Sequence, residues 1–201
     1  MTRSREEIIA GLPTEVNLLT RIEVLKNLKR QNPLADGDRR EYVAEHSWHI
    51  ALGVILLSDY CPYDIDIAHT VLLATVHDVV EAFVGDTFAF GSEVQGQQER
   101  EEGAILAIKE RFPADATERL AQYWREYEDQ QTPEAKFVKG VDAFLPILLN
   151  FLNPENSSWR QHGVEAAKVQ KRLRRVDQSL GELAGLNEEM ILRAVAEGIL
   201  S

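Results

Sequence analysis

An all-α helical bundle is the fold class that this sequence predicts, on three observations. Apolar residues recur at helical spacing along most of the chain. Pro113, Pro133 and Pro154 stand at the edges of the periodic segments, where a fixed φ and a missing amide donor start or stop helices. No stretch of strand length alternates apolar with polar residues.

The elements follow in order. Val16, Leu19, Ile22, Leu25 and Leu28 fall on one face of a helix that runs to about Arg30. A polar segment, residues 31–40, comes next and contains the turn-like run PLADGD. A nearly all-apolar helix is expected at about residues 44–60; lacking a polar face, it belongs at the centre of the bundle. Another helix is expected at about 65–84. GDTFAFGSEVQG, residues 85–96, reads as a loop of small residues carrying two phenylalanines. Further helices are expected at about 97–112, 115–129, 133–152, 158–173 and 187–200. No repeat and no linker divides the chain. Residues 1–201 are therefore expected to form a single domain, with the motif-bearing core at about 16–153 and C-terminal helices at 158–200.

Composition narrows the function classes. With 44% hydrophobic residues in 201, the chain can bury a sizeable core. A formal net charge of −11 gives no basic stripe for a phosphate backbone, so nucleic acid is not an expected partner. The single cysteine, Cys61, allows no internal disulfide and fits a reducing cytoplasm; its place after an apolar run reads as buried or helix-ending. The opening MTRSREEIIAGLP lacks the apolar run of a signal peptide. The longest apolar run, residues 50–57, is too short to span a bilayer, so no membrane partner is expected.

Four residues are polar where the pattern wants apolar ones. His46 opens the central helix, with Ile50, Val54 and Leu57 on the same face. His77 and Asp78 sit together inside LLATVHDVVEAFVGD. Asp142 shares a face with Val138, Leu145 and Leu149. An unpaired ionised carboxylate in such a place costs several kcal/mol, so it needs a partner or a cation. Taken singly, each is ordinary: a lone histidine on an apolar face is usually a core residue, and a lone buried aspartate usually caps a helix or meets an arginine. Together, two imidazoles and two carboxylates on three elements form an N/O ligand set for a divalent transition metal. Glu81, three and four residues beyond the pair, stands close enough to orient or deprotonate an attacking water. His49 has ligand spacing from His46, but the entry to the helix favours His46.

EHSWH (residues 45–49), HDVVEAFVGDT (residues 77–87) and KFVKGVDAFLPILLN (residues 136–150) resemble the HD-domain metal phosphohydrolases, in their 5'-deoxynucleotidase-like branch. The ordered series of His, His-Asp and Asp, with EAFVGDT behind the His-Asp pair, carries the resemblance over about two-thirds of the chain. The resemblance implies an HD-type helical bundle. It implies His46, His77, Asp78 and Asp142 as metal ligands, Glu81 as the acid that helps activate water, and Asp86 as a second active-site acid. Glu126, in WREYE, matches a further pocket acid, and Arg30 an arginine that contacts the substrate phosphate or sugar. Many members place Trp directly after that arginine; Gln31 stands here and is expected to alter sugar and base selectivity. Arg39 and Arg40, just before the first histidine, are alternative phosphate contacts or a solvated loop.

The expected function is hydrolysis of (deoxy)nucleoside 5'-monophosphates to nucleoside and inorganic phosphate. It depends on a divalent cation drawn from Mn, Co, Fe, Zn and Mg, and the apolar helices and the resemblance suggest a homodimer. The alternatives are an HD hydrolase of a cyclic nucleotide, a nucleoside triphosphate or (p)ppGpp, and a metal-binding regulatory protein without turnover. Glu81 and Asp86 weigh against the last, since a structural metal site needs neither.

Overall fold

The computed structural model describes residues 2–201. α1 (Arg5–Ala10) is a surface turn started by a capping box, in which Ser4 Oγ accepts from the Glu7 amide and Glu7 accepts from the Ser4 amide. α2 (Thr14–Ile22) does not continue to Arg30 as expected; it tightens into a 3-10 turn at Glu23–Lys26. The tighter winding takes Leu25 out of helical register with the residues before it. Leu18 and Leu25 are buried, whereas Leu19 is 68% exposed and Val16 is exposed as well.

The segment read as helix end and loop is a β-hairpin. β1 (Lys29–Pro33) pairs antiparallel with β2 (Arg40–Tyr42), with Lys29 opposite Tyr42, Pro33 opposite Arg40 and an irregular register between them. Among the described residues this is the only sheet. Its strands, KRQNP and REY, are short and polar, so they give no alternating signal. The hairpin nevertheless places Arg30 and Glu41 beside α3 (Val43–Leu56), whose Val43, His46, Ile50, Gly53 and Val54 face inward.

α4 (Ile67–Val76) begins at Asp66, whose carboxylate accepts from the His69 amide. The single helix expected at 65–84 is broken. Residues 77–80 form tight turns with i to i−3 bonds, Val79 N to Val76 O and Glu81 N to Asp78 O, each 3.0 Å. α5 (Glu81–Val84) then ends at Gly85, which takes φ 86°. Ile67–Val84 has a mean hydropathy of 1.5, apolar enough to cross a membrane by composition. It is interrupted at His77, however, and turns Leu73, Ala74, His77 and Glu81 into the interior.

α6 (Gln97–Arg111), α7 (Asp115–Asp129) and α8 (Pro133–Leu152) match expectation to within a residue. α8 starts in the favoured way, with Thr132 Oγ1 accepting from the Ala135 amide and Pro133 in the first turn. The helix expected at 158–173 is split by Gly163, at φ 56°, into α9 (Ser158–His162) and α10 (Ala166–Leu173). α11 (Leu183–Ala196) begins earlier than expected. Cys61 is half-buried just after a 3-10 turn at Ser58–Tyr60.

α8 is the axis of the fold, packed against α3, α4, α7 and α11. Ile50, Leu73, Phe137, Val138, Val141, Trp159, Leu180 and Ile191 form the main core around it. A second cluster, with Val80, Ile105, Ile108 and Trp124, joins the α5 region to α6 and α7. Glycines allow the closest approaches. A Cβ on Gly53 would lie 2.9 Å from Val141 Cγ1, and one on Gly140 would lie 2.5 Å from Ser179 Oγ. Asp142 is held two residues beyond that second contact.

Candidate metal centre and cavity

His46 comes from α3, His77 from the end of α4, Asp78 from the turn after it and Asp142 from α8. One ligand atom from each of His46, His77 and Asp142 lies within 4.8 Å of the other two, and all three residues are buried. His46 Nε2 is 3.1 Å from Asp142 Oδ1. Asp78 Oδ2 lies 3.1 Å from His77 Nε2 and 3.8 Å from His46 Nε2.

The tautomers follow from the neighbours. His77 Nδ1 is 2.7 Å from the Ala74 carbonyl, which can only accept, so Nδ1 carries a proton and, in the neutral ring, Nε2 offers a lone pair. That buried Nε2 has no hydrogen-bond partner, although carboxylate oxygens of Asp78 and Asp142 stand at 3.1 and 4.0 Å. A lone pair facing two carboxylates is repulsive unless a cation lies among them. His46 turns Nδ1 toward Glu41 Oε2 at 3.5 Å and likewise presents Nε2. Burial and Arg30 lower the proton affinity of His46, yet Asp142 and Glu41 more than offset them and raise its pKa to about 9. Burial would raise the Asp142 carboxyl, but its bond to His46 and the charge of Lys139 hold it well below the usual range. The centre therefore favours positive charge at the imidazole edge, and its N and O donors fit a divalent transition metal.

Arg30 crosses this centre from β1. Its Nη1 lies 3.1 Å from both Asp78 and Asp86, and its Nε lies 3.4 Å from Glu41. The contact to Glu41 lacks hydrogen-bond geometry, so it is an ion contact only. Glu81 is 6% exposed with Oε2 unpartnered, and burial, then the charge of Asp78, raises its pKa well above the ordinary value. Asp86 is raised by burial, against the pull of Arg30. Arg30, Asp78, Glu81 and Asp86 line a cavity of about 290 Å³, whose walls also include Phe88, Phe90 and Trp159.

The structure brings Arg30, Gln31, His77, Asp78, Glu81, Asp86 and Asp142 to this cavity, and His46 joins the ligand cluster from outside its lining. Gln31 accepts from His162 Nε2 at 3.1 Å on its rim. Other expected residues lie elsewhere. Glu126 points away and meets His69 at 2.9 Å and Thr132 at 2.8 Å; its neighbours Tyr127 and Glu128 face the cavity instead. Arg39 is 51% exposed and pairs with Glu45 at 2.7 Å. Arg40 binds the Asn156 carbonyl at 2.8 Å and the Gln161 side chain.

Four residues absent from the expected set complete the site. Glu41 steers His46, as described. Tyr127 donates to Asp142 Oδ2 at 2.9 Å, and Lys139 donates to Tyr127 at 2.8 Å. Glu101 lines the cavity, and burial raises its pKa to about 7, with the Gln97 hydrogen bond opposing. The α7 register held a usable signal: Thr117, Ala121 and Trp124 are its buried stripe, and that spacing continues to Tyr127 rather than Glu126.

The chain is 35% identical over 111 residues to the human 5'-deoxynucleotidase HDDC2, covering 55% of the chain and 53% of that protein. It is 32% identical over 138 residues to the bovine protein of the same name, covering 66% of the chain and 65% of the relative. The chain thus spans less than two-thirds of the length of either. The crystal structure of a predicted metal-dependent phosphohydrolase from Magnetospirillum magnetotacticum MS-1 superposes with a TM-score of 0.85 at 34% identity, covering 94% of both chains. The HD-domain profile matches residues 22–184, a span that includes every ligand candidate. The chain belongs to the HD-domain family.

Proposed function

We propose that the chain is a metal-dependent 5'-nucleotidase that hydrolyses (deoxy)nucleoside 5'-monophosphates to nucleoside and inorganic phosphate. The observation that carries the reading is the unpartnered Nε2 of His77, which meets the Asp78 and Asp142 carboxylates on the wall of a cavity that also holds Arg30 and Glu81. The 5'-deoxynucleotidase relatives support the substrate class. His46, His77, Asp78 and Asp142 would hold the cation. When bound, it supplies Lewis acidity that polarises the phosphoryl group and acidifies water.

The chain's own side chains supply the rest. Arg30 uses Nε and Nη1 on its three carboxylates, which leaves Nη2 for a phosphate oxygen. Glu81 takes the proton of the attacking water as the water oxygen bonds to phosphorus. The bond from phosphorus to the 5'-oxygen breaks, and Asp86 returns a proton to the leaving oxygen. Burial raises the proton affinity of both acids, so each holds a proton more readily than a solvated carboxylate would. Phe88 and Trp159 offer apolar wall to the nucleoside.

Two further proposals concern surroundings. A second copy of the chain is the partner we assign to the exposed apolar side chains Leu19, Trp48 and Leu56, and light scattering tests it. The reducing cytoplasm is the compartment, given a single cysteine. The function itself is tested by phosphate release from ribo- and deoxyribonucleoside monophosphates with Mn, Co, Fe, Zn and Mg in turn. His77→Ala and Asp78→Ala are expected to lose metal and turnover together. If every monophosphate is inert with every metal while another phosphoester is cleaved, the substrate class is wrong.

A further inference from the structure

We propose that Tyr127 and Lys139 are positioning residues of the metal centre, a one-directional hydrogen-bond chain that fixes which oxygen Asp142 offers to the cation. The inference rests on the assignment of the His46, His77, Asp78 and Asp142 cluster to a divalent metal, and is independent of the substrate.

The direction of the chain follows from donor and acceptor capacity. A lysine ammonium has donors only. Lys139 Nζ, 2.8 Å from Tyr127 Oη, must donate to it. The phenol therefore sends its own single proton elsewhere, and Asp142 Oδ2 at 2.9 Å receives it. With Oδ2 so engaged, the oxygen left for a cation is Oδ1. That oxygen faces His46 Nε2 at 3.1 Å and His77 Nε2 at 4.0 Å. Turning Asp142 to offer both oxygens would break the bond to Tyr127. The carboxylate is thereby set to bind through one oxygen, leaving more of the coordination sphere open.

The surrounding contacts make the relay stiff. Tyr127 is 2% exposed, and its ring lies 5.1 Å from the His77 ring, so one side chain steadies ligands from two elements. Lys139 is one helical turn before Asp142 on α8, so the relay leaves α8, touches α7 and returns. Glu128, the next residue on α7, holds the ammonium at 3.6 Å. Lys139 also lies over the Tyr127 ring, 4.2 Å from its centroid. A tyrosine that merely packed the core would need neither the lysine nor the oriented proton.

The test uses the full chain and Co(II) as the probe. Its dissociation constant is read by competition with a chromogenic chelator, and its visible spectrum reports coordination number. Tyr127→Phe is expected to fold and to bind Co(II) about 10 to 100-fold more weakly, the usual cost of losing an outer partner of a ligand. Its absorption should weaken as Asp142 becomes free to bind through both oxygens. Lys139→Met should move the spectrum the same way by less, because the hydroxyl still reaches Asp142 but its proton is no longer directed there. The charge of Lys139 also acts on Asp142 directly, so the spectrum and not the affinity is the readout for this variant. Tyr123→Phe, on the same helix beside His69, is the control and should change nothing. Wild-type affinity and spectrum in Tyr127→Phe, with binding lost in His77→Ala, would overturn the relay and leave the metal site standing. Full binding in His77→Ala would overturn the metal site and the relay with it. Lys139→Met keeps the hydroxyl in place and carries the test if Tyr127→Phe does not fold.

Discussion

Glu81 is buried, has an unpartnered oxygen and holds a proton more tightly than an ordinary glutamate, because of burial and then the charge of Asp78. Glu81→Gln keeps its size and removes proton exchange. Metal content is expected to stay the same while turnover falls by roughly two to four orders of magnitude. Elemental analysis beside phosphate release checks this; loss of metal would make Glu81 a ligand. Gln31 sets a second test at this scale. Its amide oxygen is engaged by His162, whose ring lies 4.6 Å from Phe88, so it is part of a braced rim. An amide there walls off less space than an indole, so weak discrimination between dAMP and AMP is expected, with Gln31→Trp increasing it. Matched kcat/KM values decide; a wild-type deoxy preference of roughly a hundredfold or more, untouched by the substitution, would place the choice in other residues.

Between elements, glycines at close approaches set how α8 is held. Gly140→Ala gains roughly 0.8–1.0 kcal/mol of helix propensity, but its Cβ would meet Ser179 Oγ at 2.5 Å and Leu180 Cδ2 at 2.9 Å. Ser179 is buried and bonded to the Val176 carbonyl at 2.6 Å, so it cannot swing aside. Overpacking of this kind costs roughly 1–3 kcal/mol and exceeds the gain, so the melting midpoint should fall. Gly103→Ala, on the exposed side of α6 with open space at its Cβ, should stabilise by roughly 0.5–1 kcal/mol instead. If Gly140→Ala stabilises as much as Gly103→Ala, the packing argument fails. The elements themselves were unequally legible. α6, α7 and α8 show whole turns bounded by prolines. The hairpin was hidden because KRQNP and REY are short and polar. The break at residues 77–80 was hidden because no glycine or proline marks it. At the site, His46, His77, Asp78 and Asp142 stood out as polar residues among apolar ones. Glu41 did not, because an acid in a polar segment looks solvated until the hairpin buries it.

Over the whole molecule, buried acids make stability depend on pH. Burial raises the Glu101 pKa from 4.5 to about 7, with the charge of Glu128 reinforcing and the Gln97 hydrogen bond opposing. The folded chain thus holds this proton more tightly than the unfolded chain. Its contribution is fully present below 4.5 and is lost as pH rises toward 7. The melting midpoint of the metal-free protein should therefore decline across that window, less steeply in Glu101→Gln; parallel slopes would refute the assignment. The centre has a wider consequence. Its donors come from three stretches of chain, with His46 and Asp142 separated by 96 residues. They meet only after folding, so the cation binds the native state in preference to the unfolded one. It then acts as a removable cross-link, adding roughly 2.7 kcal/mol when free metal is a hundredfold above its dissociation constant. Chelation should lower the melting midpoint of the wild type and leave that of His77→Ala unmoved. The metal supply of the cell would then govern how long each folded chain survives proteolysis, as well as how fast it works.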